Sequence, residues 1–141
     1  MRYISTDNQD ELRSWIERVI FQKMPADATF IGQKKDDSLV AVVAYCNFTE
    51  NACSMHIGSI GEHWMNKNLL WACFDYPFNK LGKKVIVVTL EASNDDAVRL
   101  NRHLGFSVET VIKDAHEHGD LMIMSMRADN CKWLALKPKG A

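Results

Sequence analysis

Two rhythms of hydrophobic residues divide the chain. Leu12, Trp15, Ile16, Val19 and Ile20 recur at helical spacing behind a polar turn in which Thr6, Asp7 or Asn8 can act as the cap. Arg2 to Ser5 precede them as a short strand, and Pro25 with its polar neighbours should end the helix. Thr29 to Gln33 and Ser38 to Phe48 then read as strands joined by a hairpin-like turn, Lys34-Lys35-Asp36-Asp37. The run Leu39 to Tyr45 is nearly all apolar, the pattern of a central strand covered on both faces.

Thr49-Glu50-Asn51 makes the next turn, and Ala52 to Ile60 the next strand. From Asn66 to Leu81 the helical rhythm returns, in a stripe that Pro77 should kink or end early. The turn Gly82-Lys83-Lys84 leads into a strongly strand-like run, Val85 to Leu90. A polar turn, Ala92-Ser93-Asn94-Asp95, starts a short third helix. Ala97, Leu100, Asn101 and Leu104 share one of its faces, Asp95 and Asp96 complement the dipole in its first turn, and Gly105 stops it. Ser107 to Ile112 and Asp120 to Arg127 close the chain as paired strands. The order is β-α-β-β-β-α-β-α-β-β. With no linker, repeat or low-complexity tract, residues 1–141 read as a single domain.

Composition narrows the classes. A chain of 141 residues suits one domain and should bury roughly 68% of its unfolded surface. Net charge is −1 with Lys and Arg spread along the chain, so no nucleic-acid partner is expected. No apolar run approaches the ~20 residues that cross a bilayer, so no membrane partner is expected either. Met1-Arg2-Tyr3-Ile4 leads directly into a polar turn rather than a signal peptide. Cys46, Cys53, Cys73 and Cys131 show no C-x-x-C spacing. The first three lie in apolar or strand-like surroundings, which suits buried free thiols in a reducing, cytoplasmic compartment. Lys132, Lys137 and Lys139 form a small basic tail expected to be a solvated terminus.

The passage Asn94-Asp95-Asp96-Ala97-Val98-Arg99-Leu100-Asn101-Arg102-His103-Leu104-Gly105-Phe106 resembles the closing half of the GNAT superfamily of N-acetyltransferases, whose pattern is N-x-x-A-x-x-L-x-x-x-L-G-F. Phe74 to Gly82 and His118 to Met124 extend the resemblance, which covers Trp64 to Arg127. These flanks are similar to the ribosomal-protein acetyltransferase branch, and the whole is similar to small GNAT-type proteins of bacteriophages and prophages. The resemblance implies an α/β (α+β) fold: a GNAT-like mixed, mostly antiparallel sheet with a central splayed parallel pair and helices on both faces. It implies acetyl-coenzyme A as co-substrate and a primary amine, small molecule or protein, as acceptor. It is also compatible with a homodimer.

Acetyl transfer to an amine needs a proton acceptor, donors for the developing oxyanion and a departing thiolate. The resemblance places the splay between Ala52–Ile60 and Val85–Leu90, with pantetheine along Ile57, Ser59 and Ile60 and past Asn94, Ala97 and Asn101. The family's pyrophosphate loop reads R/Q-x-x-G-x-G/A, its glycines letting backbone N–H groups approach the phosphates. This chain has Gly61-Glu62-His63-Trp64-Met65-Asn66, so Trp64 and Asn66 replace two glycines. Asn66 is still a good cap, Lys67 can present a charge to a phosphate, and Glu62 opposes it. The alternative for Trp64 is a packing anchor at an ordinary helix start.

Asn101 stands where many family members carry a tyrosine acid, and an amide has no proton to give at neutral pH. His56, on the splayed strand, is the candidate base, or else a hydrogen-bonded core histidine. Glu50 and Glu91, at strand or turn ends, could receive the proton through water, or else be solvated surface charges. His116-Glu117-His118 lies in a polar turn without further ligands, so no metal is expected. The altered loop and the missing tyrosine leave a second reading open, a GNAT-fold protein that binds without catalysing.

Overall fold

A computed structural model describes residues 1–62 and 64–139. The elements are β1 (Arg2–Ser5), α1 (Gln9–Ile20), β2 (Thr29–Lys35), β3 (Ser38–Cys46), β4 (Ala52–Ser59), α2 (Lys67–Asp75), β5 (Val85–Glu91), α3 (Asp95–Leu104), β6 (Ser107–His116) and β7 (Gly119–Arg127). One seven-stranded sheet runs β1-β2-β3-β4-β5-β7-β6. Every neighbouring pair is antiparallel except β4 and β5. The α/β reading and the mixed, mostly antiparallel sheet both hold.

Each face of the sheet has its own core. Leu12 and Ile16, one turn apart on α1, are fully buried against Phe30, Leu39, Val42 and Ala44. Fully burying side chains of this size contributes about 1.5–3 kcal/mol each. Two glycines make the seat for α1. A Cβ on Gly58 would lie 2.9 Å from Ile16 Cγ1, and one on Gly32 would lie 2.6 Å from Leu12 Cδ2. The opposite face buries Val43, Tyr45, Met55 and Ile86 under α2 and the inner side of α3.

Pro77 deforms the second helix rather than ending it. Proline has no N–H to give the carbonyl four residues back, so Cys73 O loses its helical donor. The buried hydroxyl of Tyr45 donates to that carbonyl at 2.5 Å. Burial raises the Tyr45 pKa well above the usual phenol range, so this group stays a donor. The chain passes into a π-helical turn, Tyr76–Lys80, with Leu81 N–H bonded to Tyr76 O.

Three boundaries differ from expectation. Helix α1 stops at Ile20, before Pro25, because its apolar stripe runs out and Phe21 takes the left-handed conformation, its N–H returning to Glu17 O. The β2–β3 hairpin turns on Asp36-Asp37 alone, both at positive φ, so Lys34 and Lys35 belong to the strand. The C-terminal segment keeps Lys132, Lys137 and Lys139 exposed, as expected, but is ordered rather than a loose tail. Ala128–Asn130 and Lys132–Leu136 form 3-10 turns, and Trp133 Nε1 donates to Leu104 O at 2.7 Å, satisfying an orphan carbonyl at the end of α3. Trp133 and Leu134 supply the apolar surface that holds this segment down.

Candidate active site

The parallel pair opens after three residues. Ala52↔Val85, Cys53↔Ile86 and Ser54↔Val87 are in register, and beyond them the two strands part. Their outer edges stay paired, β4 with β3 through Ser59 and β5 with β7 through Glu91. The inner edges from Met55 and Val88 onward therefore present main-chain donors and acceptors that no strand satisfies. Buried backbone groups are rarely left so, which makes the gap a ready seat for an extended chain carrying amides.

A cleft of about 270 Å³ occupies this gap. His56 and Ile57 of β4, Thr89 of β5, and Asn94, Ala97 and Asn101 of α3 line it, and Gln22 closes it from beyond α1. Alternation places His56 and Thr89 on the face covered by α1, two residues past the last paired position on each strand. His56 is half-buried and has no hydrogen-bond partner among the described residues. Burial lowers its pKa below the ordinary histidine value of 6.5, so near neutral pH it is an imidazole able to accept a proton. The sequence left open a hydrogen-bonded core histidine, and the structure gives a cleft-lining one.

Asn94 caps α3, its Oδ1 accepting from Ala97 N–H at 3.2 Å, while its Nδ2 has no partner among the described residues. Asn101 turns its Nδ2 back to Ala97 O at 2.9 Å. One of its amide N–H groups is thus taken up by its own helix.

The remaining expected site residues lie elsewhere. Glu50 is a correction: it sits in the β3–β4 turn at the paired end of the strands, where Lys83 reaches its main-chain carbonyl, and the extended strand carries it away from the splay. Glu91 is also outside the cleft wall. Its Oε1 accepts from Ser93 Oγ at 2.9 Å and lies beside Gly119. Ile60 and Trp64 line a separate depression with Arg2, Lys35 and Val40, and the Trp64 carbonyl accepts a hydrogen bond from buried Gln33. The Trp64 ring packs against the core, the anchoring role left open above. Ser59 pairs with Ala41 at the end of β4. Asn66 caps α2 by accepting from Leu69 N–H at 2.8 Å, and Lys67 is exposed in the first turn. His63, within the same loop, lies outside the described residues.

Thr89 and Gln22 escaped the sequence reading. Thr89 left a signal, a lone polar residue inside the apolar run Val85–Leu90. Gln22 left none, because only the tertiary fold brings the end of α1 over the splay.

No family model matches the sequence, and no curated protein does. Solved structures match it across nearly the whole chain. One is yncA of Salmonella typhimurium, described as an acetyltransferase and solved with its cofactor acetyl-CoA. It is 14% identical, with a TM-score of 0.70 over 99% of this chain and 96% of that one. Another is spermidine N-acetyltransferase of Vibrio cholerae in complex with CoA and spermine, 15% identical, with a TM-score of 0.72 over 92% of this chain and 96% of that one. The fold is that of these acetyltransferases. At such identities the likeness carries architecture and leaves the chemistry to the residues.

Proposed function

We propose that this protein is an acetyl-coenzyme A-dependent N-acetyltransferase acting on a primary amine. The observation that carries the reading is the cleft where β4 and β5 part, walled by unpaired strand edges and holding a neutral, unpartnered His56. Acetyl-coenzyme A would supply an acetyl group activated as a thioester. The unpaired edges of β4 and β5 and the Asn94 amide suit its pantetheine arm, and the α2 N-terminus with Lys67 suits its phosphates.

His56 is placed to take the proton that the amine nitrogen loses as it bonds to the acetyl carbon. The carbon–sulfur bond breaks in the same exchange, and the thiolate leaves with its electron pair. That thiolate needs no protein acid, because its pKa of about 8.5, by analogy with cysteine, lets it depart or take a proton from water. Among the described residues the cleft wall carries no carboxylate, Lys or Arg. This favours an acceptor with a single amine over a polycation, in contrast with the bound spermine of the Vibrio cholerae enzyme.

One observation favours the second reading, binding without transfer: Asn101 spends one amide N–H on its own helix and has no acidic proton to give the sulfur. Calorimetric titration with acetyl-coenzyme A, followed by thiol release with a monoamine and with spermidine, separates the two. Binding with monoamine-dependent thiol release is expected. Binding without release from any amine leaves the second reading, and no binding removes both.

A further inference from the structure

A second pocket, about 330 Å³ in volume, lies between α2 and the β1–β2 edge and shares no residue with the cleft. Ile4, Ile31 and Pro138 give it apolar walls, and Trp71 and Tyr76 give it aromatic ones. Asp75 at the end of α2 also lines it.

Asp75 is out of place by ordinary rules. It is only 8% exposed, and carboxylates are almost never buried unless paired. Among the described residues its one hydrogen bond comes from Asn79 Nδ2 to Oδ1 at 2.9 Å, and no Lys or Arg reaches ion-pair distance. Asp75 Oδ2 has no hydrogen bond among the described residues and is not sealed within the protein, and the residue lines the pocket.

Trp71 is unusual in a second, independent way. It is a half-buried tryptophan on α2 that belongs to neither core cluster. Tyr76, in contrast, is held in place. Its hydroxyl bonds Thr29 Oγ1 at 2.9 Å and its ring meets Tyr45 edge to face. The pocket therefore has one fixed aromatic wall, one wall that packing does not account for, and a carboxylate short of a cation.

We propose that this pocket binds an organic ammonium ion, its positive centre paired with Asp75 and its apolar or aromatic body laid against Trp71 and Tyr76. Aromatic faces attract cations, and a mostly apolar pocket with one placed charge is the usual form of a small-molecule site. Lys80 also lines the pocket without pairing with Asp75, and its repulsion grows with ligand charge, so a single positive charge is favoured over several. The inference does not depend on acetyl transfer, since the two pockets have separate walls.

The test uses the full chain labelled with ¹⁵N, without acetyl-coenzyme A, titrated with phenethylammonium chloride and, in parallel, with 3-phenylpropionate. The two probes share an aromatic body and differ in charge. Saturable shifts of the Trp71 indole N–H and the Ala72 and Tyr76 amides with the ammonium probe alone are expected. Asp75→Asn should weaken that binding about tenfold or more, the loss of a charge-assisted contact. Equal binding of both probes would reduce the pocket to an apolar hole and overturn the proposal. So would undiminished affinity in Asp75→Asn, shifts confined to His56 and Thr89, or no saturation. Should Asp75→Asn fail to fold, the two-probe contrast on the wild-type chain, together with Trp71→Ala, decides the matter.

Discussion

Helices α2 and α3 begin in the same way and carry opposite fields. Each follows one of the two splayed strands, and each is capped by an asparagine whose Oδ1 accepts from the third helical N–H, Leu69 in α2 and Ala97 in α3. The first turn of α3 then holds Asp95 and Asp96, whereas that of α2 holds no acid and starts with Lys67. Two aspartates beside the positive end of a dipole stabilise the helix and repel an anion, while a lysine there does the reverse. The same cap thus serves two ends. In the proposed reading one would face the uncharged, amide-bearing stretch of acetyl-coenzyme A and the other its phosphates.

Neither end performs the chemistry in this picture, so the largest loss should come from the strand between them. His56→Gln is expected to keep acetyl-coenzyme A affinity and lower turnover by about 10²-fold or more, the usual worth of a positioned base. Unchanged turnover would remove His56 from the reaction. The same residue leaves a mark on stability. Its pKa is lowered on folding, so between that lowered value and the unfolded value of 6.5 the unfolded chain binds more protons. The contribution is fully present above 6.5 and is lost as pH falls through the folded value. Urea denaturation across that window should show stability rising with pH, with a smaller slope in His56→Gln.

The caps come next. Asn66→Ala and Asn94→Ala should each cost about 1 kcal/mol of stability, because each leaves one helix-end N–H unpaired. Their effects on ligand should differ. Asn94 also lines the cleft, so its loss should weaken acetyl-coenzyme A, whereas Asn66→Ala leaves the cleft wall intact. Undiminished affinity in both variants by calorimetry would mean that both asparagines act only as caps. Lys67→Ala should weaken binding by about 1 kcal/mol if the lysine donates to a phosphate. That loss should shrink as salt is raised, since Lys67 is exposed.

Order, element type and the parallel pair were legible because local rules and burial agree there. Asn94, Asp95, Asp96 and Gly105 mark α3 without help from the rest of the chain, and the apolar runs of β3 and β5 announce central strands. Other features depend on residues distant in sequence. The turn of the chain at Pro77 is supported by Tyr45, 28 residues before the carbonyl it serves, and the C-terminal turns are held by Trp133 on the end of α3. The placement of His56 on the splayed strand and of Asn94 at the head of α3 was readable because strand alternation and helix capping are local. Glu50 was misplaced because a turn residue's distance from the splay depends on which end of β4 is paired. Gln22 was invisible, since its position follows from where α1 sits on Gly58.

The smallest expected effect discriminates best between the two helix ends. Replacing Asp95 and Asp96 by Asn removes both charges from the first turn of α3 while keeping residues of similar shape. Helix stability should fall by about 0.3–1 kcal/mol for each lost dipole contact at low ionic strength. The Asp96–Arg99 pair, 3.2 Å apart and well exposed, should add almost nothing. If the phosphates lie at α2, acetyl-coenzyme A affinity should stay within about twofold, because exposed charges more than about 10 Å apart are largely screened at moderate salt. If they lie at α3 instead, removing two repelling carboxylates should tighten binding several-fold. Asn68→Asp makes the mirror test by placing an acid in the first turn of α2, and weaker binding is expected there. Tighter binding from the α3 change together with no effect from Asn68→Asp would exchange the roles of the two helices and move Lys67 out of the site.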